Sequence, residues 1–170
     1  MNPDGVDEIV AAWRRERPDL DVSPLEILSR VSRLARHLDL ARREAFDRHG
    51  LEAGEFDVLA ALRRSGPPYE MSPGRLGAAT LVTSGTTSNR LDRLEGAGLI
   101  ERLPDPSDRR SVRVRLTDAG RQRVDAALTD LLERERHLLA ELSAGDRAAL
   151  ANLLKTLVLP FDADEVGVSD

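Results

Sequence analysis

Thr83-Ser84-Gly85-Thr86-Thr87-Ser88-Asn89-Arg90 is a run of small hydroxyl and amide side chains that ends on a guanidinium. Side chains of this size can enter a confined polar groove and meet hydrogen-bonding edges there, and the major groove of duplex DNA is such a groove. Ser, Thr and Gly are mediocre helix formers, so a helix that starts with them suggests contact chemistry more than stability. Further along, Asp108-Arg109-Arg110 places two arginines in a turn. Arginine on a projecting turn suits a narrow minor groove, where negative potential is concentrated, and a neighbouring acid can fix one guanidinium while the other points at DNA. Around both runs, residues 72–116 hold eight arginines (75, 90, 93, 102, 109, 110, 113, 115) against five acids, in a chain whose formal net charge is −5. A positive segment in an acidic frame fits a phosphate-facing surface. Taken singly, each run also reads as ordinary surface: a capped helix, or a solvated turn with neutralising ion pairs.

Enzymatic chemistry finds little support. The absence of cysteine excludes thiolate metal sites, cysteine nucleophiles and thiol redox sensing. His37, His49 and His137 have no metal-ligand spacing, and Lys155 is the only lysine, so phosphate-loop and Schiff-base motifs are missing too. There is no Gly-x-Ser-x-Gly elbow. No metal or cofactor is expected. No apolar stretch reaches the ~18 residues of a membrane span, which together with the lack of a signal-peptide layout makes a cytoplasmic protein the expectation.

The elements that must position these residues follow from periodicity and caps. The length of 170 residues suits one core, and 3% aromatics amid abundant Leu and Ala point to helix packing. Asp4 caps a helix over 4–16 with Val6, Ile9, Val10 and Trp13 at helical spacing. Ser23-Pro24-Leu25-Glu26 opens a long helix as a capping box with proline at its first position, and Gly50 stops it. A helix from Ala53 to Arg64 and another near 73–79 precede the hydroxyl-rich helix, which Gly96-Ala97-Gly98 ends. The short helix, turn and hydroxyl-rich helix together fit a helix-turn-helix. The period then becomes two: 99–103 and 111–116 read as strands of a hairpin whose tip carries Asp108, Arg109 and Arg110. Thr117-Asp118 caps a helix to about Glu141. Ser143 to Asp146 opens a last helix, which Pro160 is expected to end before an acidic tail. The reading is mainly α with a small β-hairpin wing. Its segments are an added N-terminal helix and linker (1–21), dimerisation helices (22–50 and 117–160), a winged helix-turn-helix (51–116) and the tail (161–170).

Leu94-Glu95-Gly96-Ala97-Gly98-Leu99-Ile100-Glu101-Arg102, Asp105-Pro106-Ser107-Asp108-Arg109-Arg110 and Val114-Arg115-Leu116-Thr117-Asp118-Ala119-Gly120 resemble, in that order, the signature of MarR-type winged-helix regulators. The resemblance covers about residues 24–160. It implies an intertwined homodimer on double-stranded DNA, a pseudo-palindromic operator, and release by a small ligand, usually as a repressor. It implies DNA contacts at Arg75, Ser84, Thr86, Thr87, Ser88, Asn89, Arg90, Arg93, Asp108, Arg109 and Arg110. The helix ahead of residue 24 resembles that of a urate-responsive subgroup, whose ligand residues correspond here to Trp13, Asp57, Arg90 and Arg102. An anionic purine suits an indole and guanidinium groups. Related regulators with the same added helix respond to tricarboxylates such as aconitate or citrate, and a helical interaction module without sequence-specific DNA binding is a further alternative.

Overall fold

A computed structural model describes residues 3–80, 84–105 and 111–166. The elements in order are α1 (Gly5–Glu16), α2 (Ser23–Asp47), α3 (Ala53–Arg64), β1 (Glu70–Met71), α4 (Pro73–Thr80), α5 (Ser84–Gly96), β2 (Ile100–Pro104), β3 (Val112–Leu116), α6 (Asp118–Leu138) and α7 (Ala144–Val166). The chain divides into two compact units, residues 1–131 and 132–170, and the division falls inside α6.

The capping residues explain most boundaries. At α1 the Asp4 carboxylate accepts from the amides of Val6 and Asp7, and the Asp7 carboxylate accepts in return from the amide of Asp4. Thr117 Oγ1 accepts from the Gly120 amide at 3.0 Å and so starts α6. Ser143 Oγ accepts from the Asp146 amide at 3.1 Å and donates to that residue's carboxylate. At α2 the cap differs from expectation. Val22 is the N-cap, Ser23 is already helical, and the Asp21 carboxylate accepts from the Ser23 amide at 3.0 Å. Pro160 also departs from expectation, because α7 continues through it to Val166. A proline in a helix forfeits the bond to the carbonyl four residues back, and here the helix bears that loss instead of stopping. Residues 161–166, assigned from sequence to the tail, therefore belong to α7, and 167–170 lie outside the described residues.

The sheet has three strands in the order β1-β3-β2, all antiparallel. The hairpin pairs Ile100 with Leu116 and Arg102 with Val114. Glu70 and Met71 add a third strand, opposite Arg115 and Val114, that the sequence did not announce. In the first unit α3 lies at the centre: Val58, Leu59 and Leu62 pack with Phe46, Leu76, Leu91, Leu94, Ile100, Val114 and Val124 in one buried cluster. Phe46 and Phe56 stack with centroids 4.0 Å apart. Burying each of these large side chains removes enough apolar surface to contribute roughly 1.5–3 kcal/mol.

Close backbone approach fixes how α6 meets the sheet. A Cβ on Gly120 would lie 2.0 Å from the Leu99 carbonyl oxygen and 2.8 Å from Leu116 Cδ1. Only glycine lets the helix start so near the strand. Arg63 grips Asp125 of α6 through two bonds, and His49 Nε2 lies 3.0 Å from the Asp130 carboxylate.

A smaller cluster of Val6, Val10 and Val22, with Leu25 against it, docks α1 onto α2. Arg30 of α2 donates to both capping carboxylates of α1, and Arg14 reaches Glu26 at 2.6 Å. Arg30 holds the Asp4 carboxyl down to about 2. Of the four apolar residues expected inward on α1, Val6 and Val10 are buried, whereas Ile9 and Trp13 are 43% and 48% exposed.

Candidate nucleic-acid interface

The α4–α5 pair supplies the two helices of the helix-turn-helix; residues 81–83 between them, expected to form the turn, lie outside the described residues. Helical spacing sorts the side chains of α5. Thr87, Leu91 and Leu94 fall on one face and are buried, at 3%, 1% and 1% exposure. Thr86, Ser88, Asn89 and Arg93 lie exposed on the remaining surface, and Arg75 is exposed on α4. Thr87 is thus a correction to the expected contacts. Its position, four residues before Leu91 and seven before Leu94, turns it into the core. Ser84 begins α5. The wing tip with Asp108, Arg109 and Arg110 lies outside the described residues, while the strands that would carry it are in place.

Of the eight arginines of residues 72–116, the fold pairs four, Arg93, Arg102, Arg113 and Arg115, with carboxylates. Arg93 donates to both carboxylate oxygens of Glu52, at 2.7 and 2.6 Å, and its Nε lies 3.1 Å from Glu55. Arg102 donates to Asp92 at 2.7 Å and Glu95 at 2.6 Å. Arg113 pairs with Asp105, and Arg115 with Glu70 and Glu101. The carboxylates that meet Arg93 and Arg102 raise the pKa of each guanidinium, chiefly through Glu52 and Asp92 respectively. In return, Arg93 lowers the pKa of Glu52. Glu52, Glu55 and Glu70 lie outside the segment whose charge was summed, and the fold brings them onto it.

Arg90 has a different environment. Its guanidinium covers Gly54, where an added Cβ would lie 2.2 Å from Arg90 Cζ. The first turn of α3 therefore receives two arginines of α5, one over Gly54 and one between Glu52 and Glu55. A glycine between two acids in the first turn of a helix was the available sequence signal, since an isolated glycine in a periodic segment often marks close approach.

Two of the four residues expected to hold an effector, Asp57 and Arg102, already have ion-pair partners, and a third, Arg90, is packed on a glycine. Asp57 accepts from Arg42 at 3.2 Å, Arg90 lies over Gly54, and Arg102 joins β2 to the C-terminal half of α5. Trp13 is exposed on α1. A groove of about 290 Å³ lined by Arg36, His37, Asp39, Leu40 and Arg43 runs along α2, and none of the four lines it. Sequence reasoning missed Arg42, which also lies over the Phe46 ring at 5.4 Å.

Two helices in helix-turn-helix order, followed by a hairpin and a third strand from the preceding loop, define a winged-helix protein. The profile of the MarR family matches residues 49–111. The chain is 42% identical to the HTH-type transcriptional regulator PecS of Dickeya dadantii (strain 3937), over 88% of this chain and 90% of that protein. It is 32% identical to the HTH-type transcriptional repressor NicR of Pseudomonas putida, over 86% and 91% of the two chains. Among solved structures, a mutant MarR from E. coli complexed with operator DNA superposes with a TM-score of 0.66 at 28% identity, covering 82% of this chain and 99% of that one. The chain belongs to the MarR family of DNA-binding transcriptional regulators, which are not enzymes. Among the described residues, no helix is long and apolar enough to cross a membrane.

Proposed function

We propose that the chain acts as a homodimeric repressor that reads a pseudo-palindromic operator and releases it when a small anion, urate or a related purine, binds. The observation that carries the reading is the exposed Thr86, Ser88 and Asn89 face of α5, beside a hairpin, in a chain of this family. Dimerisation is supported by apolar side chains that the single chain leaves exposed. Ile27 and Leu28 on α2 are 60% and 55% exposed, and Leu153 and Phe161 on α7 are 66% and 69% exposed. Two recognition helices in a dimer would meet half-sites about one helical turn apart, ~10 bp.

The ion pairs suggest how an anion would act. To recruit Arg102 it must replace Asp92 and Glu95, both on α5. Those two carboxylates, left without their cation, would then face the phosphates of DNA with like charge, and α5 would lose its two charged ties to the hairpin while keeping the bond from the Arg102 amide to Glu95. Asp57 contributes less repulsion than its charge suggests, because Arg42 already neutralises it. An effector that prefers the released conformation tenfold supplies about 1.4 kcal/mol.

Footprinting upstream of the chain's own gene, with titration of urate, xanthine, hypoxanthine, aconitate and citrate, tests the reading. The expected result is a two-fold-symmetric footprint lost on adding a purine, with a parallel change in Trp13 fluorescence. Release by a tricarboxylate alone would reassign the effector, and a footprint that none of these ligands removes would overturn the ligand-released repressor. Replacing Leu153 and Leu154 with Asp should give a folded monomer that no longer protects the site.

A further inference from the structure

The first turn of α3 holds the sequence Glu52-Ala53-Gly54-Glu55, and it receives the Arg93 and Arg90 guanidinium groups from the helix that the proposed function places on DNA. Each contact has a definite geometry. Arg93 meets Glu52 with both terminal nitrogens, at 2.7 and 2.6 Å, and a second carboxylate, Glu55, holds its Nε at 3.1 Å. Glu55 is itself fixed, because its other oxygen accepts from the Glu52 amide at 2.8 Å and its side chain is 12% exposed. Arg93 remains 52% exposed and Glu52 65% exposed, so the clamp sits at the surface beside the Thr86 and Asn89 face.

We infer that Glu52 and Glu55 form an acidic clamp that withholds Arg93 from DNA phosphates, so that α5 discriminates by its hydroxyl and amide side chains instead of by indiscriminate charge. The inference rests on the DNA-binding reading and assigns Glu52 and Glu55 as specificity-determining residues. Phosphate contacts supply most non-specific affinity and carry no sequence information. An arginine on the recognition helix would attach to any duplex unless something competes for it. A bidentate carboxylate with a second carboxylate on Nε is such a competitor, since it satisfies the planar donor fork that phosphate would otherwise take. Arg102, Arg113 and Arg115 are occupied in the same way. Arg90, over Gly54, also acts on Glu52 through space, though less than Arg93 does.

Glu52→Gln keeps the shape and removes the charge at an exposed position. The test measures affinity for a random-sequence duplex against salt concentration for the wild type, E52Q, R93Q and the double variant, with thermal melting of each as a folding control. Glu55 keeps its hold on Nε, so E52Q frees the two terminal nitrogens, the fork that phosphate takes. The slope of log K against log salt should then steepen by about 0.9 per engaged subunit, or about 1.8 when both subunits of the proposed dimer engage. At about 50 mM salt this corresponds to roughly tenfold tighter non-specific binding per contact. The double variant should return to the wild-type slope, because the arginine that E52Q releases is then absent. A wild-type slope for E52Q overturns the inference, and so does an equal steepening in the R93Q background, which would show a general charge effect. Both results leave the DNA-binding reading intact. That reading falls, taking the clamp with it, if the wild type shows no salt-dependent duplex binding at all.

Discussion

Replacing Gly120 with alanine is expected to move α6 off the sheet. The new Cβ would sit 2.0 Å from the Leu99 carbonyl oxygen and 2.9 Å from its carbonyl carbon, both backbone atoms without a rotamer to yield. Ordinary contact lies near 3.5 Å, so the helix start or the β2 approach must shift by about 1 Å or more. Overpacking of this kind costs roughly 1–3 kcal/mol, and the backbone partners place it at the upper end. The same carbonyl accepts from the Thr117 amide at 3.1 Å. Losing that bond adds about 1 kcal/mol. Alanine's better helix propensity returns about 1 kcal/mol. The net cost is about 3 kcal/mol, or roughly 6–12 °C in melting temperature for a chain of this size. The assay is thermal and urea unfolding at fixed protein concentration, with Gly74→Ala as control. Gly74 lies in α4 and an added Cβ there meets nothing within 4 Å, so the control should melt at or slightly above wild type. A Gly120→Ala protein that melts within a degree or two of wild type would refute the reasoning.

Two further predictions concern the docking of α1 and the aromatic stack. The Asp4 carboxyl is held at about 2, against an ordinary 3.8, chiefly by Arg30. A depressed carboxyl stabilises above its free value and loses that contribution as pH falls, so α1 should stay docked above pH 3.8 and loosen as pH approaches 2. Arg30→Gln removes most of the difference between docked and free carboxyl, so the acid-dependent loosening should flatten, followed by the fluorescence of Trp13 on α1; an unchanged acid transition would count against the pairing. Phe46→Ala removes a fully buried ring stacked on Phe56. It should cost roughly 3–5 kcal/mol by urea midpoint, and a cost below about 1 kcal/mol would mean the stack carries little of the core.

What could be read in advance depended on whether the cause was local. Caps announced α1, α6 and α7, because Asp4, Thr117 and Ser143 act on amides two or three residues away. The hairpin was legible because Val112, Val114 and Leu116 alternate with Arg113 and Arg115. β1 was not legible: two residues cannot display a period, and Glu70 and Met71 become a strand only by pairing with β3. Charge was misleading for a related reason. A sum over residues 72–116 cannot include Glu52, Glu55 or Glu70, which arrive from outside it to neutralise Arg93, Arg113 and Arg115. Thr87 shares its neighbours' residue type, whereas periodicity through Leu91 and Leu94 turns it inward. Pro160 is a stop signal by its local chemistry, yet α7 continues past it.

Every described side chain of α7 from Ala144 to Phe161 is exposed in the single chain. A helix so bare gains little from its own fold, since helices in water are held mainly by the apolar face they bury. If a second copy covers it, as proposed, its order follows mass action, and copy number itself becomes a variable of the response. Doubling the amount of such a protein raises the covered form more than twofold wherever the bare form predominates. Occupancy of a target then rises more steeply than the supply of chain, a threshold in dose that requires no effector.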